Sequence, residues 1–266
     1  MVNSSRDELT MLNSDGRTYR VWTCNPKGPL PMSNAAISLR RRTLATGLIS
    51  AVLVTSNPAA AGANYSGKNF SRRDLTKRSF RGANVSAANF NEAKAKGVSF
   101  HGANVRAASF VKTQCFRCSF YGSTGDRQTH FDNANLGNAD FTGARMRGAR
   151  FRKAQLGGAK LKGADMSRAF FQEAKLHSAN LYGADARATK FHKADLRRAN
   201  LSGARFSRAI LTGADLRGTN LTRTDMRHAN LCSVKYDKHT NVNGTDVRGA
   251  KCGATFLRNV RRLQAR

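Results

Sequence analysis

Acids are scarce in this 266-residue chain. Only 16 Asp and Glu stand against 46 Lys and Arg, a formal charge of +30. Such an imbalance does not choose a fold, but it favours acidic partners: nucleic acid, anionic lipid or an acidic protein face. Proline is rare, with four residues beside 23 glycines, so the chain is not a low-complexity linker. Five cysteines are too few and too scattered for a disulfide framework. No run reaches the ~18 consecutive apolar residues of a membrane-spanning helix. Also missing are a Ser-His-Asp arrangement, a glycine-rich phosphate loop and a close carboxylate pair. The six histidines (His101, His130, His177, His192, His228 and His239) are scattered. No catalytic residue, metal ligand or cofactor is therefore assigned, and an enzyme is not expected.

What is present begins with an address. Residues 1 to 38 show no clear period and hold the single Trp22. From Ser38 the text runs S-L-R-R-R-T-L-A-T-G-L-I-S-A-V-L-V, then T-S-N-P-A-A-A-G-A. This is a charged region (Arg40, Arg41, Arg42), a short apolar region from Leu44 to Val54 and a small-residue ending, with cleavage after Ala61 or Ala63. The adjacent arginines resemble a twin-arginine export signal. The long stretch before them resembles the two-part address of nucleus-encoded thylakoid-lumen proteins, although Asp7, Glu8 and Asp15 depart from the acid-poor composition of transit peptides. Residues 1–63 are thus read as a targeting region. The expected location is the chloroplast thylakoid lumen, with a bacterial periplasm as the alternative. Removal of the 44–54 segment and its retention as an anchor both stay open.

The rest of the chain repeats. Leu136, Phe141, Met146, Phe151, Leu156, Leu161, Met166 and Phe171 place a large apolar residue at every fifth position, and the series runs on to Leu231. Two positions before each stands Ala or Thr, as in A-N-L-S-G (199–203) and A-D-L-R-G (214–218). A helix smears a five-residue step around its cylinder, and a flat strand sends an odd step to opposite faces. A chain that turns a corner after each pentad keeps every large residue inside. Glycines two places after the large residue, such as Gly143 and Gly183, suit such corners.

Identity recurs every four pentads, which gives four sides and a 20-residue coil. Phe131, Phe151, Phe171 and Phe191 mark the first face, and Leu136, Leu156 and Leu176 the second. Phe141, Leu161 and Leu181 mark the third, and Met146, Met166 and Met226 the fourth. The A-[ND]-L-x-x units are similar to those of the pentapeptide-repeat family. That resemblance implies an all-β, right-handed quadrilateral β-helix and supplies no catalytic residues. Residues 64–255 are assigned to the solenoid. Residues 256–266, with Phe256 or Leu257, Val260 and Leu263 on one face, are assigned to a short C-terminal helical cap over the last open coil.

The phase breaks twice, between Phe120 and Phe131 and between Tyr236 and Val242. The first break is read as a loop at 121–130 bulging from a corner of the fourth face. Cys115 and Cys118 form a C-x-x-C; both positions point inward, so core packing is expected and a disulfide is left open. Cys252 also falls at a central, inward position. On the outside, the fourth face and its corners carry Arg145, Arg147, Arg168, Arg187, Arg205, Arg208 and Arg227. The first face carries Arg150, Arg152, Lys153, Lys190 and Lys193. This stripe is the candidate partner-binding surface.

Gyrase-blocking members of the resembled family display acidic, DNA-like surfaces, and this chain has the opposite sign. The expected function is a non-enzymatic scaffold or auxiliary subunit. It would bind an acidic surface of a membrane-embedded complex, a photosynthetic one on the lumen side. Nucleic-acid binding is the alternative, with Phe170 and Tyr182 as the few outward aromatics for stacking. An end-to-end homodimer is left open. N-terminal sequencing of the native protein should find a new terminus just after Ala61 or Ala63; an intact Met1 would remove the argument for the lumen.

Overall fold

The computed structural model describes residues 6–12, 18–24 and 62–265. The chain divides into two units, one within Met1–Val52 and one from Leu53 onward. In the first, β1 (Arg6–Leu12) and β2 (Thr18–Cys24) pair antiparallel, with Arg6 opposite Cys24 and Leu12 opposite Thr18. The sequence carries the signals for this hairpin: Thr18, Tyr19, Val21, Trp22 and Thr23 are strand formers, and Asp15-Gly16 is a hairpin dipeptide. Of the expected export signal, 38–63, residues 38–61 lie outside the described residues.

In the second unit, each residue just before a central apolar residue pairs in parallel with its counterpart one coil on. Asn69 pairs with Asn89, Asp74 with Lys94, Ser79 with Ser99 and Asn84 with Asn104, and the four ladders run to Lys251. The central residues fill the interior. Phe110, Phe131, Phe151 and Phe171 stack face to face at 4.8, 4.8 and 4.6 Å. On the third face, Phe100, Phe120 and Phe141 stack at 4.9 and 4.7 Å, and the two stacks meet edge to face. Both geometries suit the aromatic quadrupole. From Ala83 to Ala229 the residue two places before each central one is buried and small. Where it is Thr, the hydroxyl is satisfied: Thr113, Thr189, Thr219 and Thr224 donate to main-chain carbonyls of the preceding coil.

Corners explain the glycines only in part. At Phe80 the carbonyl accepts from Ala83 N, and Gly82 between them has φ +63°. A positive φ at that third position is what a type II turn needs. Arg72, Lys112, Lys153 and Arg198 hold the same conformation without being glycine. It costs such residues ~1–2 kcal/mol. Their N–H groups each donate to a carbonyl of the next coil, as Lys153 N does to Gln172 O at 3.0 Å, so the ladder offsets the strain.

The first phase break is not a bulging loop over 121–130. Thr124 pairs in register with Asn104 below and Arg145 above, so the departure is confined to 125–129. One added residue is absorbed by an Asp-x-x-Thr corner. Asp126 Oδ1 accepts from Ala107 N, Gln128 N and Thr129 Oγ1, while Thr129 Oγ1 accepts from Asp126 N and reaches Val105 O. The second break repeats the device: Asp237 Oδ1 accepts from Gly218 N, His239 N and Thr240 Oγ1. Fixed hydrogen bonds therefore hold both insertions against the rod.

The cap also starts earlier than expected. Helix α1 spans Gly253–Gln264, so the solenoid gives way at 252–253 and not at 255–256. A Cβ at Gly253 would lie 2.9 Å from those of Val247 and Ala250, which makes glycine necessary at this contact. Phe256 and Val260 are buried; Leu263 is exposed. Asn259 donates to Tyr236 Oη, and Gln264 to Thr240 O. The helix covers that end, so an end-to-end contact there would meet α1 and not bare strands.

Among the described residues there are two disulfides. Cys115 and Cys118, both fully buried, close one corner. Cys252 does not point inward as its register predicts. It takes φ +61° at the start of α1, stands exposed, and bonds Cys232 on the coil below. No helix among the described residues is long and apolar enough to cross a membrane. Because the Phe ladder is continuous, Phe151→Ala should cost about 3–5 kcal/mol in chemical denaturation; a loss below about 1 kcal/mol would mean that the stack is not the core.

Candidate functional site

Ladder geometry places the outward residues in columns. At the corner between the fourth and first faces, successive coils present Arg106, Arg127, Arg147, Arg168, Arg187, Arg208, Arg227 and Arg248, one arginine per coil. Two contiguous shallow grooves follow this corner. One is lined by Arg106, Arg127, Arg145, Arg147, Arg168 and Phe170; the other continues past Arg187, Arg208 and Arg227. Arg106, Arg127 and Arg248 were not among the expected binding residues. Sorting the sequence by face hides Arg127, which rides on the inserted corner, whereas Arg106 and Arg248 follow Val105 and Val247 in regular units.

The expected stripe divides by ionic environment. Arg187 is held by Asp185 at 2.6 Å, and Arg227 lies between Asp225 at 2.9 Å and Asp246 at 3.8 Å. Arg150 pairs with the buried Asp132 at 2.6 Å, and Lys153 stands 3.8 Å from Glu173. Arg152 and Lys190 lie over the Phe170 ring, 5.4 and 5.0 Å from its centroid. Arg145, Arg147, Arg168, Lys193, Arg205 and Arg208 make no ion pair among the described residues and are exposed. Near Arg145 and Arg147 the acids are Asp126, whose Oδ1 accepts from three donors, and Asp165, whose Oδ1 accepts from Ser167 N; neither forms an ion pair with these arginines. Uncompensated positive charge thus collects at the fourth–first corner, at the end of the groove next to the inserted turn.

This register of inward apolar and outward polar columns is what a family model of pentapeptide repeats describes. The model matches eight copies, over residues 74–110 and, in overlapping segments, 129–235, which is more than half of the chain. The chain belongs to the pentapeptide-repeat family. Among solved pentapeptide-repeat structures it is similar to HetL from the cyanobacterium Nostoc sp. strain PCC 7120, at 23% identity over 71% of this chain and 86% of that one, with a TM-score of 0.33. It is also similar to QnrB1, a plasmid-mediated fluoroquinolone resistance protein, at 19% identity over 74% and 96%, with a TM-score of 0.33. A protein of the Arabidopsis thaliana thylakoid lumen matches at 21% identity over 59% and 66%, with a TM-score of 0.22. No curated protein sequence matches. Family membership rests on the repeat match and on the fold.

Within this pentapeptide-repeat rod, the Asn or Asp before each central residue has a structural task. Its Oδ1 accepts the N–H two residues on, as Asn180 does from Tyr182 and Asp140 from Thr142. In units reading Asp-x-Arg the same carboxylate also grips the arginine. Asp195 holds Arg197, Asp215 holds Arg217, Asp225 holds Arg227 and Asp246 holds Arg248. These chelates neutralise the second-face arginines and the far end of the fourth face. His130, half-buried, has its pKa pushed down by burial and then by Arg150. Among the described residues no group of His, Cys, Asp and Glu has the geometry to hold a metal ion.

The arginine hydrogen bonds hold the carboxyls of Asp195 and Asp225 below the usual range, and Arg248 brings Asp246 down to about 2. A lowered folded-state pKa adds stability that is complete above the unfolded value of about 3.9 and is lost as pH falls through the folded one. Thermal stability should therefore fall between about pH 4 and about pH 2. Asp225→Asn with Asp246→Asn should flatten that fall; an unchanged acid profile would show that the chelates add nothing.

Proposed function

We propose that the protein is a non-enzymatic docking scaffold that binds an acidic surface of a membrane protein complex through the fourth–first corner of its solenoid. The observation that carries this reading is the sorting of charge. Asp-x-Arg chelates and the Asp132 and Glu173 pairs engage Arg150, Lys153, Arg187, Arg197, Arg217, Arg227 and Arg248. Arg145 and Arg205 on the fourth face and Arg147, Arg168 and Arg208 on the corner beside it make no ion pair among the described residues. Exposed arginines held this close repel one another, and an acidic partner relieves that repulsion. The five-residue period consumes the inward positions, so a surface of this kind is where function can reside. The export-like text at 38–63 supports a lumenal setting, with a photosynthetic complex as the partner. Nucleic acid is less favoured. The outward aromatics are already covered by the protein's own side chains, Phe116 by Arg117, Phe170 by Arg152 and Lys190, Tyr182 by Lys162 and Tyr121 by His101 on one side, so few bare stacking faces are offered.

Retention of the protein on isolated thylakoid membranes, washed across a salt series, tests the proposal. The wild type should be held at low salt and released as salt rises. The variant Arg145→Glu, Arg147→Glu, Arg168→Glu should melt within a few degrees of the wild type and lose most retention. Retention that survives the triple reversal would contradict the assigned surface.

A further inference from the structure

The arginine column has a period, and that period selects among acidic partners; the argument rests on the docking reading above. Successive coils stack at 4.8 Å along the first-face phenylalanines, and the same pairing sets the rise at the adjoining corner. From Arg106 to Arg248 each coil places one arginine there, alternating between the first and second turn positions as far as Arg227; Arg248 takes the first again. Arg147, Arg187 and Arg227 take the first, and Arg168 and Arg208 the second. The alternation makes a shallow zigzag of guanidinium groups about 34 Å long at about 4.8 Å per step. Ser167 and Ser207 fill the first position where the arginine takes the second, which leaves room between neighbouring side chains. The two contiguous grooves follow this zigzag and share Arg147, Arg168 and Asp165.

A partner that meets the zigzag along its length must carry carboxylates at nearly the same step. Side chains on one face of an extended strand recur every ~6.8 Å, a mismatch of ~2 Å per step that grows to ~14 Å over seven steps. One face of an α-helix presents a side chain about every turn, at i, i+3 or i+4, or ~5.4 Å. That mismatch is ~0.6 Å per step and ~4 Å overall, which long flexible arginines absorb. Duplex nucleic acid winds its phosphates around its axis, so a straight edge meets them only in part. The guanidinium fork also pairs two-pronged with carboxylates, as Arg187 does with Asp185.

We infer that the fourth–first corner binds an acidic α-helix laid along the solenoid axis, with Asp or Glu recurring once per turn on the contacting face. Arg127, Arg147, Arg168 and Arg208 form the open part of the ladder. In Arg187, Arg227 and Arg248 the resident Asp competes with the incoming carboxylate, so binding is anchored at the Arg127 end and weakens toward the cap.

Fluorescence anisotropy with the full chain tests this. The probes are a labelled Ala-based peptide of ~24 residues, ~36 Å as a helix, with Glu once per turn on one face, and an isomer with the same Glu residues spread around the helix. A duplex oligonucleotide of equal charge is the third probe. The striped helix should bind at least about ten-fold tighter than its isomer. Arg127→Glu with Arg147→Glu should abolish that preference, whereas Arg248→Glu should change it less than about three-fold. Equal affinity for the two peptides, both lost in the double variant, would overturn the helix register and leave docking by charge intact. Tighter binding of the duplex would overturn the inference in favour of nucleic acid. No binding of any probe would overturn it too, while retention on membranes would still decide the docking reading separately.

Discussion

Parallel hydrogen bonding between residues about 20 positions apart sets the distance between everything else in the rod. Each pentad gives one bridge residue to a ladder, and the ladder places like over like at the strand spacing. Once that spacing holds, aromatic rings of neighbouring coils fall at 4.6–4.8 Å and stack. The same spacing tolerates residues such as Arg72 and Lys153 at positive φ, because the strained residue's N–H is the one the next coil needs. It also dictates how surface charge is arranged. An arginine at a given turn position faces its counterpart one coil away, so the sequence can write a linear charge pattern as directly as it writes the core.

The pattern it writes is selective. Where aspartate precedes the central residue and arginine follows it, the two neutralise each other within one unit, as Asp195 and Arg197 do. Such exposed pairs contribute little stability, about 0–1 kcal/mol each, and their main effect is on the surface potential. Where the bridge residue is itself arginine, as at Arg145 and Arg205, the unit holds no chelating carboxylate; Asp165 neighbours Arg145 in the ladder and Asp185 and Asp225 flank Arg205, yet neither arginine makes an ion pair among the described residues. The inserted corner adds to this. There Asp126 Oδ1 accepts from three backbone and hydroxyl donors, and the neighbouring Arg127 makes no ion pair among the described residues.

The inward half of this architecture was legible in the sequence because burial imposes one apolar residue per pentad and one small residue beside it. Phe, Leu and Met at every fifth position admit no other regular chain path. Outward details were less legible, because several hydrogen-bonding solutions satisfy an exposed corner. The slip near Asp126 looked like a loose loop. The Asp-x-x-Thr pattern shared with Asp237–Thr240 was the signal that it is fixed. The place of Cys252 could not be read from register, since the register ends where α1 begins. Of the candidate surface, the composition was visible and the pairing was not. Arg187 and Arg147 look alike in sequence until the residue two places earlier is noticed, Asp185 in one case and Arg145 in the other.

If coil register is what presents the basic corner, then moving the register must move recognition. Duplicating one full coil, residues 151–170, adds a 20-residue turn and keeps every column aligned. Duplicating residues 151–160 adds half a turn and sends the later arginines to the opposite corner. Measuring affinity for the Glu-striped helix in both variants, with circular dichroism to confirm that each folds, tests the account most directly. It predicts affinity within about three-fold of wild type for the full-coil duplication and at least about ten-fold weaker binding for the half-coil one. Equal affinity in the two folded variants would contradict it.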